Sequence, residues 1–175
     1  MPTAFLMVGL PASGKTTRAP ALERDRGALR LTPDEWMVPL FGGENPGAGR
    51  DALEGRLLWT ALRVARLGLD VVVDFGLWSR EERHALRVLF AAVGADCVVE
   101  FCDVDPATQL TRAEHRWRQT PHLTFAVTAG ELASWREVFV APDAAELSGG
   151  PVPDPPPGSA TWADWAAQRW PGLRP

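Results

Sequence analysis

Apolar residues are distributed along this chain in two alternating ways. Ala4-Phe5-Leu6-Met7-Val8, Ala28 to Leu31, Asp70-Val71-Val72-Val73-Asp74-Phe75 and Cys97 to Phe101 are short runs with little polar interruption, as strands covered on both faces require. Between them the apolar positions recur at helical spacing. One helix is predicted to end near Arg26, and a short one begins near Pro33 with Asp34, Trp36 and Leu40. A longer helix puts Leu53, Leu57, Ala61 and Val64 on one stripe and stops at Gly68. Ser79 and Glu82 form a capping box ahead of Leu86, Leu89, Phe90 and Val93, with Gly94 as the stop. Asp105-Pro106 opens a helix bearing Leu110, Arg112, Arg116 and Trp117, and Thr128 with Glu131 caps another bearing Leu132, Trp135 and Phe139. Pro20 removes one hydrogen bond inside the first helix and predicts a bend or a late start to its regular part.

Strands alternating with helices predict parallel β-α-β crossovers, hence an α/β fold: a three-layer α/β/α sandwich whose ligand edge lies beyond the carboxyl ends of the strands. Four strands are legible; a fifth is not, because proline and small polar residues dominate after Phe139. Residues 1–141 read as one catalytic domain and 142–175 as a Pro/Trp-rich tail. Pro151 to Gly158 holds five prolines, which exclude regular structure. Beyond it, Trp162, Trp165 and Trp170 surround a Thr161/Asp164 cap and predict a short helix packing back on the domain, with a partner-binding tail as the alternative. Phe41 to Gly49 is turn-rich and is expected to form a mobile surface loop.

With 175 residues, 46% of them hydrophobic, the chain can bury one substantial core. Cys97 and Cys102 are expected on opposite faces of one strand, as unpaired thiols of an intracellular protein. No apolar run approaches a membrane span and the first strand begins without a basic leader, so a cytoplasmic location is expected. A net charge of −4 offers no general attraction to a polyanion and disfavours a nucleic-acid substrate. His84, His115 and His122 have no metal-ligand spacing.

Among 18 basic Lys and Arg residues, Lys15 is the only lysine. It lies in Gly9-Leu10-Pro11-Ala12-Ser13-Gly14-Lys15-Thr16, a full match to the phosphate-binding pattern G-x-x-x-x-G-K-[ST], placed after a strand and before a helix as the pattern requires. Backbone N–H groups of such a loop, the helix N-terminus and an ammonium on a flexible stem together suit a triphosphate. The nucleotide-binding set is therefore Gly9, Pro11, Ala12, Ser13, Gly14, Lys15, Thr16 and Thr17, with Thr16 as the magnesium ligand.

Two acids emerge at the same edge. Asp34 follows the second strand and is a candidate base for a substrate hydroxyl, or else a cap of its own helix; Asp74 closes the third and holds a metal-bound water, contacts Thr16, or fixes the loop backbone. Asp103 reads as structural. Arg112 and Arg116 share a helix face and form either a phosphate-covering lid with Arg118 or a solvated face paired with Glu114. Trp78 and Arg80 leave strand three over the cleft and either contact the acceptor or cap the next helix around a packed indole.

Val8 to Thr17, Thr32-Pro33-Asp34-Glu35, Val73 to Arg83 and the arginine helix resemble the P-loop kinases grouped with zeta toxins, chloramphenicol phosphotransferase and polynucleotide kinase, over roughly Thr3 to Ala141. The resemblance implies a parallel sheet of order 2-3-1-4-5, here legible as 2-3-1-4, and transfer of the γ-phosphate of ATP to a hydroxyl with Mg2+. It places the base on Asp34 and the lid arginines on Arg112 and Arg116. From the residues themselves, Lys15 and Arg112 are expected on the transferred phosphoryl, and Asp34, Asp74, Trp78 and Arg80 facing the acceptor. The expected substrate is a small hydroxylated molecule. Two alternatives stand: a nucleotide-dependent switch or toxin-like module engaging a protein partner through the tail, and a polynucleotide 5′-hydroxyl kinase.

Overall fold

The structure, a computed structural model, describes residues 1–42, 47–119 and 127–173. Its strands are β1 (Thr3–Val8), β2 (Leu29–Leu31), β3 (Val71–Gly76) and β4 (Asp96–Phe101). They pair in parallel in the order β2-β3-β1-β4, which matches the expected 2-3-1-4. Among the described residues the sheet has no fifth strand. Around it lie α1 (Lys15–Arg26), α2 (Asp34–Phe41), α3 (Ala48–Arg66), α4 (Arg80–Ala92), α5 (Pro106–Gln119), α6 (Ala129–Val138), α7 (Ala144–Leu147) and α8 (Trp162–Arg169).

Strand alternation divides the core between the two faces of the sheet. Ala4, Leu6, Val8, Val71 and Val73 join Leu58, Ala61, Leu86, Phe90 and Trp170, so α3, α4 and α8 cover one face. Phe5, Met7 and Val72 join Ala19 and Leu22 of α1 on the other. Cys97 packs with the first group and Cys102 with the second, and both thiols are free. Pro20 lies within α1 without interrupting it.

Val140 passes beside the segment that follows β3, its N–H donating to the Trp78 carbonyl at 3.0 Å. The fully buried Arg83 of α4 fixes this segment. Its guanidinium donates to both carboxylate oxygens of Glu146 at 2.7 and 3.0 Å and to the carbonyls of Leu77 and Val140 at 3.1 and 2.9 Å. A buried cation with this many charge-assisted bonds is satisfied, and it joins α4 to the segment that leads into α7.

The tail belongs to the core. Trp162, Ala166, Trp170 and Leu173 are buried in the same cluster as β1 and β3. The approach to α3 is so close that a Cβ on Gly55 would meet the Pro171 carbonyl oxygen at 2.7 Å and the Leu173 nitrogen at 2.8 Å. Arg169 pairs with Asp51 at 2.6 Å and Glu82 at 2.8 Å, bridging α3 and α4. The Thr161/Asp164 capping box starts α8 as its sequence predicts. Among the described residues no helix is long and apolar enough to cross a membrane.

Candidate active site

The loop from Gly9 to Lys15 leaves β1, the strand that pairs with both β3 and β4, and passes directly into α1. Its entry is tied to the end of β3, where Gly9 donates to the Gly76 carbonyl at 3.1 Å. Gly9 has φ 150°, and a Cβ there would lie 2.6 Å from both the Cys102 carbonyl oxygen and Ser13 Oγ, so only glycine fits. Ala12 and Gly14 also have positive φ, 62° and 110°, which curls the loop into a concave run of main chain. The N-terminus of α1 has no side-chain cap and no acidic residue in its first turn. By contrast, α4, α6 and α8 open on complete capping boxes. Its backbone donors and positive dipole end are left for an anion.

Lys15 Nζ donates to the carbonyls of Gly9 and Leu10 at 2.8 and 2.9 Å. Burial pulls its ammonium below the ordinary lysine range, while the charges of Asp74 and Asp34 act against that shift and Arg116 adds to it. Ser13 Oγ is buried with no hydrogen-bond partner. A concave backbone, a desolvated ammonium and an orphaned hydroxyl fit the phosphates of a nucleotide. The exposed Thr16 at the start of α1 fits a hydroxyl ligand for magnesium.

Beside the lysine stands Asp74 on β3, with 6% of its side chain exposed. Burial raises its carboxyl above the ordinary aspartate range; Lys15 and Arg30 oppose the rise, and Asp34 and Glu35 add to it. Arg30 Nη1 lies 3.6 Å from Asp74 Oδ2, while its other nitrogens hold Glu23 and Glu35. The sequence reading missed Arg30. The signal was present: Arg30 pairs in register with Val72 and so shares a sheet face with Asp74.

Asp34 opens α2 with 72% of its side chain exposed, and Arg50 Nη1 donates to it at 3.3 Å. Arg50 Nε also donates to Glu54 at 3.0 Å. Glu54 is buried, and burial raises its carboxyl despite the opposing charges of Arg50 and Arg169.

From the other side α5 closes on the loop. Arg112 Nη1 donates to the Ser13 carbonyl at 3.4 Å, and Arg116 is near enough to act on the charge of Lys15. Glu114 pairs with Arg118 at 3.3 Å. Gln109, fully buried, donates from Nε2 to the Pro11 carbonyl at 2.7 Å and accepts at Oε1 from Arg136 Nη2 of α6. Sequence reasoning singled out neither residue. A cavity of about 170 Å³ opens next to the loop, lined by Leu10, Cys102, Asp103, Val104, Arg136 and Phe139 among others.

Other residues with expected site roles have partners of their own. Arg80 turns to Asp143 at 3.1 Å and to Glu146 at 3.6 Å, which makes it a brace for the α7 segment. The Trp78 ring packs 6.0 Å from that of Trp135, in agreement with the packed-indole alternative. Asp103 accepts from the backbone N–H of Val104 at 2.8 Å, a local turn. His84 is buried edge-on to Trp162, and His115 meets Gln119. His122 and part of the Phe41 to Gly49 loop lie outside the described residues.

Residues 5–142 match the family described as an AAA domain. No curated protein matches the chain. Among solved structures, a gluconokinase from Sinorhizobium meliloti is 18% identical over 98% of this chain and 91% of its own, with TM-score 0.56. The APS kinase CysC of Mycobacterium tuberculosis, solved with AMPPNP and APS, is 26% identical over 69% of this chain and 71% of its own, with TM-score 0.53. A chain of the Pnkp1/Rnl/Hen1 RNA repair complex is 16% identical with TM-score 0.66; the match covers 85% of this chain and 44% of that one. The fold is that of the P-loop kinases.

Proposed function

The chain belongs to the AAA domain family, and from that premise we propose that it is a kinase moving the γ-phosphate of ATP to a hydroxyl of a small molecule. One observation carries the reading: a desolvated lysine in an uncapped nest of backbone donors is in electrostatic reach of Asp34 at the rim, with α5 arginines above it. Support for nucleotide use comes from the APS kinase neighbour, whose structure holds AMPPNP. Support for a small acceptor comes from that kinase and the gluconokinase.

In this reading Gly9, Pro11, Ala12, Ser13, Gly14 and Thr17 shape the phosphate seat, and Lys15 and Arg112 face the transferred phosphoryl with Arg116 behind them. Phosphoryl transfer is governed by positioning and charge, and a well-aimed arginine contributes on the order of several kcal/mol. Magnesium, held by Thr16, would neutralise charge on the phosphate oxygens. Asp34 accepts the proton of the acceptor hydroxyl. Its exposure leaves the carboxylate open to a substrate, and Arg50 holds it oriented. Asp74, nearly buried beside Arg30, acts in this reading through its charge on Lys15.

The test compares Asp34→Asn with the parent in a screen of hydroxylated antibiotics, nucleosides, sugars and RNA 5′ ends with labelled ATP. The expected result is transfer to a small molecule by the parent and undiminished Mg·ATP binding with loss of transfer in Asp34→Asn. Parent-level transfer by that variant would remove Asp34 as the base, and labelling of RNA ends alone would replace the acceptor class.

A further inference from the structure

Among the described residues, Gln109 is the one fully buried polar side chain that touches the phosphate-binding loop from another element, and both ends of its amide are engaged. Nε2 donates to the Pro11 carbonyl at 2.7 Å, across 98 positions of sequence. Oε1 accepts from Arg136 Nη2, which also donates to the Val104 carbonyl at 3.1 Å, so the amide cannot swivel. One helical turn along α5, Arg112 takes the next available loop carbonyl but one, that of Ser13.

These carbonyls matter because a trans peptide is planar, with its C=O and N–H pointing in opposite directions. No cis peptide is present among the described residues. Holding the Pro11 oxygen on Gln109 therefore fixes the plane of that peptide and with it the direction of the Ala12 N–H. Holding the Ser13 oxygen on Arg112 does the same for the Gly14 N–H. Ala12 sits at φ 62°, a conformation an alanine does not favour and that needs an external hold.

We propose that Gln109, locked by Arg136, is a positioning residue of the phosphate nest: it fixes the loop's peptide planes before nucleotide arrives and couples α6 to triphosphate affinity. This rests on the reading of the loop as a triphosphate seat. Gln109 touches no phosphate; it acts through the peptide plane.

Calorimetry on the full chain tests it with two probes, Mg·ATP and inorganic tripolyphosphate. Gln109→Met keeps the length and volume of the side chain and removes both polar ends. We expect Kd to rise about tenfold, the effect of one well-made buried hydrogen bond, and by the same factor for both probes. Arg136→Met leaves Gln109 in place but free to turn, and it gives a smaller loss, about threefold, again equal for the two probes; it decides the matter if Gln109→Met does not fold. Unchanged Kd in either folded variant overturns the proposal, as does a loss confined to Mg·ATP, which would place the effect on the nucleoside. If the parent takes up neither probe, the loop reading itself falls, a result distinct from a parent that binds and variants that bind equally well.

Discussion

The indole Nε1 of Trp170 donates to Oε2 of Glu54 at 3.1 Å, joining residues 116 positions apart. Through Glu54 the tail reaches Arg50, and through Arg50 the carboxylate of Asp34. The segment beyond residue 142, outside the family match, is thus linked to Asp34 through two intervening side chains. Trp170→Ala is expected to cost about 3–5 kcal/mol, the usual range for emptying a buried aromatic site, whereas Trp170→Phe retains most of the packing and loses chiefly the hydrogen bond, about 1 kcal/mol. Urea unfolding of the two variants measures the difference. Removing everything after Gly150 should yield no cooperative unfolding transition, contrary to a dispensable partner-binding tail.

Lys15→Ala removes the only ammonium in the loop. Mg·ATP uptake by calorimetry should fall at least about a hundredfold, in keeping with the charge-stabilising role of such a lysine, with the melting temperature held or raised because a desolvated cation has been deleted. A variant that still binds like the parent would move the phosphates elsewhere.

Glu146→Gln leaves the buried Arg83 guanidinium without its anion, and breaking such a pair costs roughly 3–5 kcal/mol. Arg83→Met together with Glu146→Gln should recover part of that loss, since the uncompensated charge is gone. Burial pushes the Glu146 carboxyl up, but the hydrogen bond and charge of Arg83 outweigh it and hold the group below the ordinary glutamate range. Its stabilisation is present above the unfolded pKa and fades as pH falls through the folded one. The gap between parent and Glu146→Gln should therefore narrow under acid, which melting curves across pH will show.

Glu54 has the opposite sign. Its folded-state carboxyl lies above the ordinary value of 4.5, so in that window the native chain binds more protons than the unfolded one and stability drops as pH rises. Glu54→Gln mimics the protonated group at every pH. Its stability relative to the parent should climb from just above pH 4.5 and then level off; a flat difference would mean that burial does not control this carboxyl.

The strands, the capped helices and the loop were legible because each is encoded in contiguous residues: the valines of β3, the Ser79/Glu82 box, the eight positions ending at Thr16. What the sequence did not disclose is contact between distant positions. Gln109 looks like an ordinary polar residue of an amphipathic helix until Pro11 lies against it, and Glu54 looks like half of an exposed i, i+4 pair with Arg50 until Trp170 buries it. Arg80 likewise stands near the end of β3 in sequence, while its ion-pair partners Asp143 and Glu146 lie 63 positions and more away. Arg83 is another such contact, one guanidinium holding Leu77, Val140 and Glu146 across up to 63 positions.

Gly55 admits the last turns of chain against α3 with no room for even a methyl group. On the ribosome, the loop, the acids and the arginine helix all emerge before Trp162, Trp170 and Leu173, so the hydrophobic interior stays open until those residues have been made. A nascent chain therefore cannot close this core around β1 and β3 ahead of its tryptophans.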